Sequence, residues 1–396
     1  MSYAANTAAP DPDVVGITIG TNSLKGWQDV RITRGIERCA SDFAISLTEK
    51  YPTEPSQIVI QPGAPCRVTI GSDTIITGYV DKYVVNVGPQ EHTVVISGRS
   101  KVQDLLDCSA KFGTYTSNLT TIVGLANKMA SPFGITVSAP DGDSAVIPTF
   151  SVTLTETPYE ILESVARWAQ FLIYDDVNGN LVIATVGDSN MASGFVMPAP
   201  GSPDTGGNVQ SASVSFDMNT RYTEIDPIYV SNDFLIDPPP NIGSSSPVIP
   251  YIPGAGATDV SFPMRADGQP RYRPLLVVSP QTQNSPQLAA QYAQWEMARR
   301  WGRSQQVRLV CDSWRDGSGK LWQPNAKAPL NLPSLKLINQ TWLISEVTYH
   351  RGEDGTTAEV VLMPPSAFVP QKEILVPYDR QIEAPGGAQA PGALPK

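Results

Sequence analysis

The sequence predicts a mainly β protein with an α+β insertion, in which two small β-barrel domains flank a helix-containing domain. Three observations carry this. Short runs of alternating apolar and polar residues crowd both ends of the chain, 36 prolines and 31 glycines punctuate them, and a helical period appears only between 111 and 197 and again after 285. With 396 residues the chain exceeds what a single core usually organises, and 41% hydrophobic with 17% charged residues is an ordinary globular balance.

Residues 1–13 are a Pro-containing leader, and 14–110 form the first predicted barrel, with VRITR, FAISLTE, QIVIQ, CRVTIG, IITGYVDKYVVNV and HTVVISG as strands. Turn chemistry separates them at Gln61-Pro62-Gly63, Gly71-Ser72-Asp73 and Gly88-Pro89, and KVQDLLDCSA reads as a short helical exit. The α+β domain spans 111–197. Leu119, Ile122, Val123, Ala126, Met129 and Ala130 share one helical face. A second helix opens with Thr157 as cap, Pro158 at the first position and Glu160 completing a capping box, and buries Ile161, Leu162, Val165, Trp168 and Leu172. FLIYDD, the turn Val177-Asn178-Gly179-Asn180 and LVIATVG make a hairpin.

Residues 198–210 are a linker, and 208–365 form the second predicted barrel. A Pro/Gly/Ser-rich insertion at 237–274 interrupts it, and a helix at 285–302 starts from Ser285 and Pro286. QVRLVCDSW, TWLISEVTYH and AEVVLMP supply its later strands, and 366–396 is a Pro/Gly-rich C-terminal arm. The hairpins GYVDKYVVNVGPQEHTVVISG at 78–98 and SEVTYHRGEDGTTAEVVLMP at 345–364 echo one another, which suggests a duplicated barrel.

The side-chain inventory assigns no catalytic, cofactor-binding or metal-ligating residue. His92 and His350 sit in strand patterns away from any ligand spacing, and Cys39, Cys66, Cys108 and Cys311 lack a CxxC pair and read as reduced thiols. Asp176, Asn178 and Asn180 imitate the start of a calcium loop, but Leu181 and Gly187 stand where that loop needs Gly and Glu, so a turn accounts for them. Glu156, Glu160 and Glu163 read as a cap and a solvated face rather than a glycosidase pair. Arg299, Arg300 and Arg303 suit a helix C-terminus, with an acidic partner or nucleic acid as the sharper alternative. The net charge of −10 argues against a nucleic-acid wrapper. Without an apolar run of about 20 residues no stable membrane insertion is expected. The start MSYAANTAAPDPD lacks a secretion signal, so synthesis in a cytoplasm is expected. Both Pro-rich segments are expected to lie as extended arms on neighbours, with Tyr251, Ile252, Phe262, Ile374 and Tyr378 as interface anchors, and Trp322 is expected to anchor the second barrel.

GITIGTNSLKGWQDVRITRGIERCASDFAISLTE, TGYVDKYVV and GRSKVQDLLDCSA, followed by WRDGSGKLWQPN and TWLISEVTYHRGEDGTTAEVVLMPPSAF, closely resemble the Mu-like phage tail protein P family, baseplate hubs of contractile tails. The resemblance runs over roughly 14–368 and is most specific at Gly98-Arg99-Ser100, Asp107-Cys108-Ser109 and Leu321-Trp322-Pro324-Asn325. It implies a non-enzymatic homotrimer in which two barrels per chain make a six-part ring between a six-fold tail tube, or its distal joining protein, and a three-fold central spike. Neighbouring wedge proteins surround such a ring, and DNA passes without specific binding. The implied location is the virion tail baseplate, assembled in the bacterial host cytoplasm. A baseplate-associated cell-wall hydrolase or host-glycan-binding protein is the alternative class, and the hub of a tailocin or other contractile injection system is the alternative machine.

Overall fold

Alternating Val, Ile and Phe against polar residues builds seven strands at the start of the chain: β1 (Val15–Ile19), β2 (Asn22–Leu24), β3 (Asp29–Gly35), β4 (Asp42–Thr48), β5 (Pro65–Ile70), β6 (Asp73–Val87) and β7 (His92–Ser100). Val30 and Ile32 of β3, and Phe43 and Ile45 of β4, are buried at every second position, as a half-covered sheet requires. The computed structural model describes residues 12–20, 22–48, 60–88, 92–111, 116–117, 120–142, 146–147, 150–151, 155–187, 191–198, 206–228, 255–278, 286–353 and 355–370.

Helix α1 (Gln103–Asp107) leads into the middle region, where two-residue ribbons pair β8 (Thr116–Ser117) with β12 (Phe150–Ser151) and β9 (Thr120–Thr121) with β11 (Val146–Ile147). Helix α2 (Ile122–Ala130) is capped by the Thr121 hydroxyl and buries Ile122, Leu125, Ala126, Met129 and Ala130. Helix α3 (Pro158–Ala169) has the expected capping box: the Thr157 N–H donates to Glu160 at 2.8 Å and the Glu160 N–H donates to the Thr157 hydroxyl at 3.2 Å. Ile161, Leu162, Val165 and Ala166 of α3 face α2, over the sheet β10 (Val137–Ser138), β14 (Leu181–Ala184), β13 (Leu172–Asp175). Leu172, expected on the helix, instead opens β13, because Gln170 in the left-handed region ends α3 first.

The remainder supplies β15 (Phe195–Val196), β16 (Val209–Phe216), β17 (Glu224–Ile228), β18 (Ala257–Thr258), β19 (Pro274–Val278), α4 (Pro286–Arg303), β20 (Gln305–Cys311), β21 (Lys327–Leu332), β22 (Leu337–Gly352) and β23 (Gly355–Met363). The strands β18, β17 and β19 form their own small sheet, with Ile225 and Ala257 packed on Ala293 and Met297 of α4. This corrects the expectation that 237–274 lies wholly on neighbours. From 255 onward it folds onto its own chain, because β17 offers both edges as hydrogen-bond partners and Asp259 forms a buried ion pair with Arg221 at 2.5 Å. Residues 237–254 of that segment lie outside the described residues.

The large sheet contains two strings of strands in the same order. One runs β3-β4-β7-β6-β5-β1 and the other β16-β20-β23-β22-β21-β15. The two echoing hairpins, β6–β7 and β22–β23, hold the same place in their strings. The strings are not separate closed barrels. Among the described residues the hydrogen-bonded path stays open, and it is continuous from one string to the other through β22 and β3. The reason is the length of β22: its 16 residues pair with β21 over Leu337–Leu343, then with β3 over Glu346–Arg351, on the same edge. One apolar cluster accordingly contains Ile32, Phe43 and Ile96 together with Leu309, Trp322 and Val347.

Candidate assembly interface

Residues singled out in the sequence mostly prove to be internal braces. Arg99 donates to Asp81 at 2.8 Å and to both carboxylate oxygens of Asp107 at 2.7 and 3.2 Å, tying β6 and β7 to the end of α1. Trp322 is 1% exposed, stacks on Phe195 at 4.3 Å and donates its indole N–H to the Ser313 carbonyl at 3.1 Å. Trp314 meets Tyr349 edge-on, and the Tyr349 hydroxyl donates to the Trp322 carbonyl. Asn325 accepts from the Gly187 N–H and donates to the Thr185 carbonyl, which holds the segment after β14 against the second string. Arg315 reaches Asp13 at 3.1 Å and Asp73 at 2.8 Å, fastening the residues before β1 to the first residue of β6.

The basic cluster on α4 is also committed within the chain. Arg300 pairs with Glu296 at 2.6 Å and lies over Tyr222, Arg303 pairs with Glu37 and donates to the Ala367 carbonyl, and Arg299 lies over Trp295. The Trp295 indole donates to Val369 at 2.8 Å, so α4 carries the end of the described chain. A cleft of about 340 Å³ opens here between Tyr159, Glu163 and Arg167 of α3 and Trp295, Arg299 and Arg303 of α4. Its glutamates Glu37 and Glu163 face arginines rather than each other. The calcium-like trio is a turn: Asp176 accepts from the backbone N–H of Asn178 and Asn180, each at 2.8 Å, and from the Asn180 side chain. Among the described residues no group of three or more His, Cys, Asp or Glu side chains could hold a metal ion. All four cysteines are free thiols, and burial pushes Cys66 and Cys311 up to about 12, with Asp81 and Asp312 adding to it.

Among the described residues Asp175 is the most deeply buried carboxyl. It is 2% exposed, and burial raises it above the usual carboxylate range despite Arg34 and the N–H and hydroxyl of Ser41, which donate to it at 3.1 and 3.0 Å.

Of the five anchors expected from sequence, Tyr251, Ile252, Ile374 and Tyr378 lie outside the described residues. Phe262 is 5% exposed beneath the Arg221 guanidinium, packed within its own chain. Exposed apolar side chains flank it, Val260 at 92% and Met264 at 63%, and others stand on two strands. In β6, Val84, Val85 and Val87 are 44%, 41% and 76% exposed, and in β16 Phe216 is 59% exposed. Both groups stand on open edges: no strand among the described residues pairs with β6 from Val84 to Val87 on the side of β5, or with β16 on the side away from β20. Sequence reasoning missed these edges because a valine in a strand looks the same whether or not another strand lies beside it. Such edges are ready templates for pairing with another chain.

Comparison with known proteins assigns the parts of the chain. The N-terminal domain described as Mu phage baseplate assembly protein GpP-like matches residues 14–100, the second domain of baseplate hub protein gp44-like matches 102–185, and the fourth domain of GpP matches 285–371. The baseplate hub protein gp44 of Escherichia phage Mu is 25% identical over 375 residues, covering 93% of this chain and 91% of that protein. The 43 kDa tail protein of prophage MuSo2 from Shewanella oneidensis superposes with a TM-score of 0.75 at 26% identity, covering 90% of this chain and 99% of the other. A tail protein from Neisseria meningitidis MC58 shares the fold at a TM-score of 0.71 and 16% identity, covering 91% and 98%.

Proposed function

The chain belongs to the Mu-type GpP and gp44-like baseplate hub proteins, and from that premise we propose that three copies form a ring joining a six-fold tail tube to a three-fold central spike. The observation that carries this is the doubled strand order: each chain holds two strings with the same order of strands, differing in that β1 runs antiparallel to β5 and β15 parallel to β21, so three chains present six similar units to a tube and three to a spike. In this reading each string, with its share of the common core, is one barrel-like unit of the ring. The domain division follows: 14–110 and 208–365 are the ring units, with β15 joining the second; 111–187 projects between them; 366–370 packs on α4, and 371–396 is an arm for neighbouring baseplate proteins. The ring's task is mechanical rather than catalytic. Its acidic balance, −10 per chain, keeps passing DNA from adhering.

Sedimentation or native mass spectrometry of the purified chain tests the stoichiometry. Three copies of the 42.6 kDa chain, about 128 kDa, are expected. A stable dimer or hexamer would overturn the three-fold reading.

A further inference from the structure

The inner junction between the two strings shows how the outer one is made. In β6 the extra residue of a bulge is Asp81, between Val80 and Lys82, and in β22 it is Ser345, between Ile344 and Glu346. One displacement in numbering, the 264 residues from Asp81 to Ser345, carries β6 onto β22, β7 onto β23 and β4 onto β20, so that Phe43 falls on Val307. Through the partners of β4 and β20, β3 then falls on β16, with Ile32 on Val214 and Arg34 on Phe216. Within the chain, β22 pairs with β3: Val347 with Arg34, Tyr349 with Ile32 and Arg351 with Val30. The equivalent strands, β6 beyond its bulge and β16, are the two open edges described above. One chain cannot join them to each other, since each lies at the far side of its own string from the β22–β3 junction.

We propose that the β6 edge of one copy pairs antiparallel with the β16 edge of the next, repeating between chains the β22–β3 junction found within each. This rests on the three-copy ring proposed above and names the surface that closes it. The internal register, carried across, sets Lys82 opposite Asp217, Val84 opposite Ser215, Val85 opposite Val214, Asn86 opposite Ser213 and Val87 opposite Ala212, with Phe216 opposite Tyr83. Most positions fit in kind: Lys82 meets Asp217, Asn86 meets Ser213, and Tyr83, Val85 and Val87 share a face with Phe216, Val214 and Ala212, while Val84 opposite Ser215 is the unlike pair. A shift of one residue would set Tyr83, Val85 and Val87 against serines or aspartate. The contrast in burial fits as well. Tyr349 is fully buried beside β3, while its counterpart Val85 is 41% exposed where no strand among the described residues faces it. Heterologous contacts of this kind close into a ring when the rotation per unit divides the circle, and three internal and three external junctions alternate around six units.

The test is a cross-link in the full-length chain carrying Cys108→Ser to remove the exposed thiol. Asn86→Cys combined with Ser213→Cys is expected to give a covalent trimer with a short thiol-bridging reagent. Asn86→Cys with Ser211→Cys, two residues out of register, is expected to lose most of that yield. A second variant, Val85→Lys with Val87→Lys, alters side chains that the single chain leaves exposed, so it should keep the circular dichroism spectrum and run as a monomer. A trimer mass without the 86–213 cross-link, or a trimer that survives the lysine pair, overturns the strand junction and leaves the ring standing. An unsubstituted chain that stays monomeric at every concentration overturns the ring, and the junction with it.

Discussion

Trp322 and Asp175 show how single side chains bind the regions together, by opposite physics. Trp322 fills space between Phe195 and the second string, and its indole N–H is satisfied, so truncation leaves a cavity together with an orphaned carbonyl. Trp322→Ala should therefore cost about 3–5 kcal/mol, read as a lowered denaturant midpoint. Asp175 is held in an apolar place by Ser41, and burial raises its folded value above that of the unfolded chain. The folded protein then binds this proton more readily. The group favours the fold below the ordinary carboxylate value of about 3.9, and that contribution is lost as pH rises through the raised value. Asp175→Asn can still accept from Ser41 and removes the titration. Its melting temperature relative to the parent should climb from acid toward neutral pH; a difference that stays flat would show that Asp175 is not raised. The role of Trp322 was legible from its motif, whereas Asp175 looked like any other turn-side carboxyl.

Helix α3 is the element most plainly written in the sequence, because Thr157, Pro158 and Glu160 are local signals and the cap they form involves nothing distant. Thr157→Ala should cost about 1 kcal/mol by removing the bond to the Glu160 N–H, checked by thermal melting of the single variant. Hairpins β6–β7 and β22–β23 were legible for the same reason: short connections force neighbours in sequence to be neighbours in space. The pairing of β22 with β3 was not. Thr33 and Thr348, whose hydroxyls meet at 3.2 Å, are 315 residues apart, and no local pattern marks them as partners. The same blindness concealed the open edges of β6 and β16, and it made two small β-barrels the natural expectation where the described strands form one continuous sheet that stays open.

Across the whole molecule, the shared core and the β22–β3 junction set an order of events during synthesis. The first string is complete in sequence once β7 has been made, yet the outer edge of β3 stays bare until β22 arrives, 315 residues after Thr33 in the case of Thr348. At roughly 5–20 residues per second that interval is about 15–60 s. Throughout it a nascent chain presents β3 as an edge of the same kind as β16, the strand meant for a neighbouring copy. On a crowded messenger, where several chains grow side by side, the β6 edge of one could seize the waiting β3 of another. The two strands differ where charge decides: β3 has Gly35 where Asp217 follows β16, so Lys82 of β6 would lose its carboxylate, and Arg34 where β16 has Phe216, so a second cation would stand beside that lysine. Two strands built on one plan thus carry different addresses, which keeps a subunit from being stitched to its neighbour before it has closed upon itself.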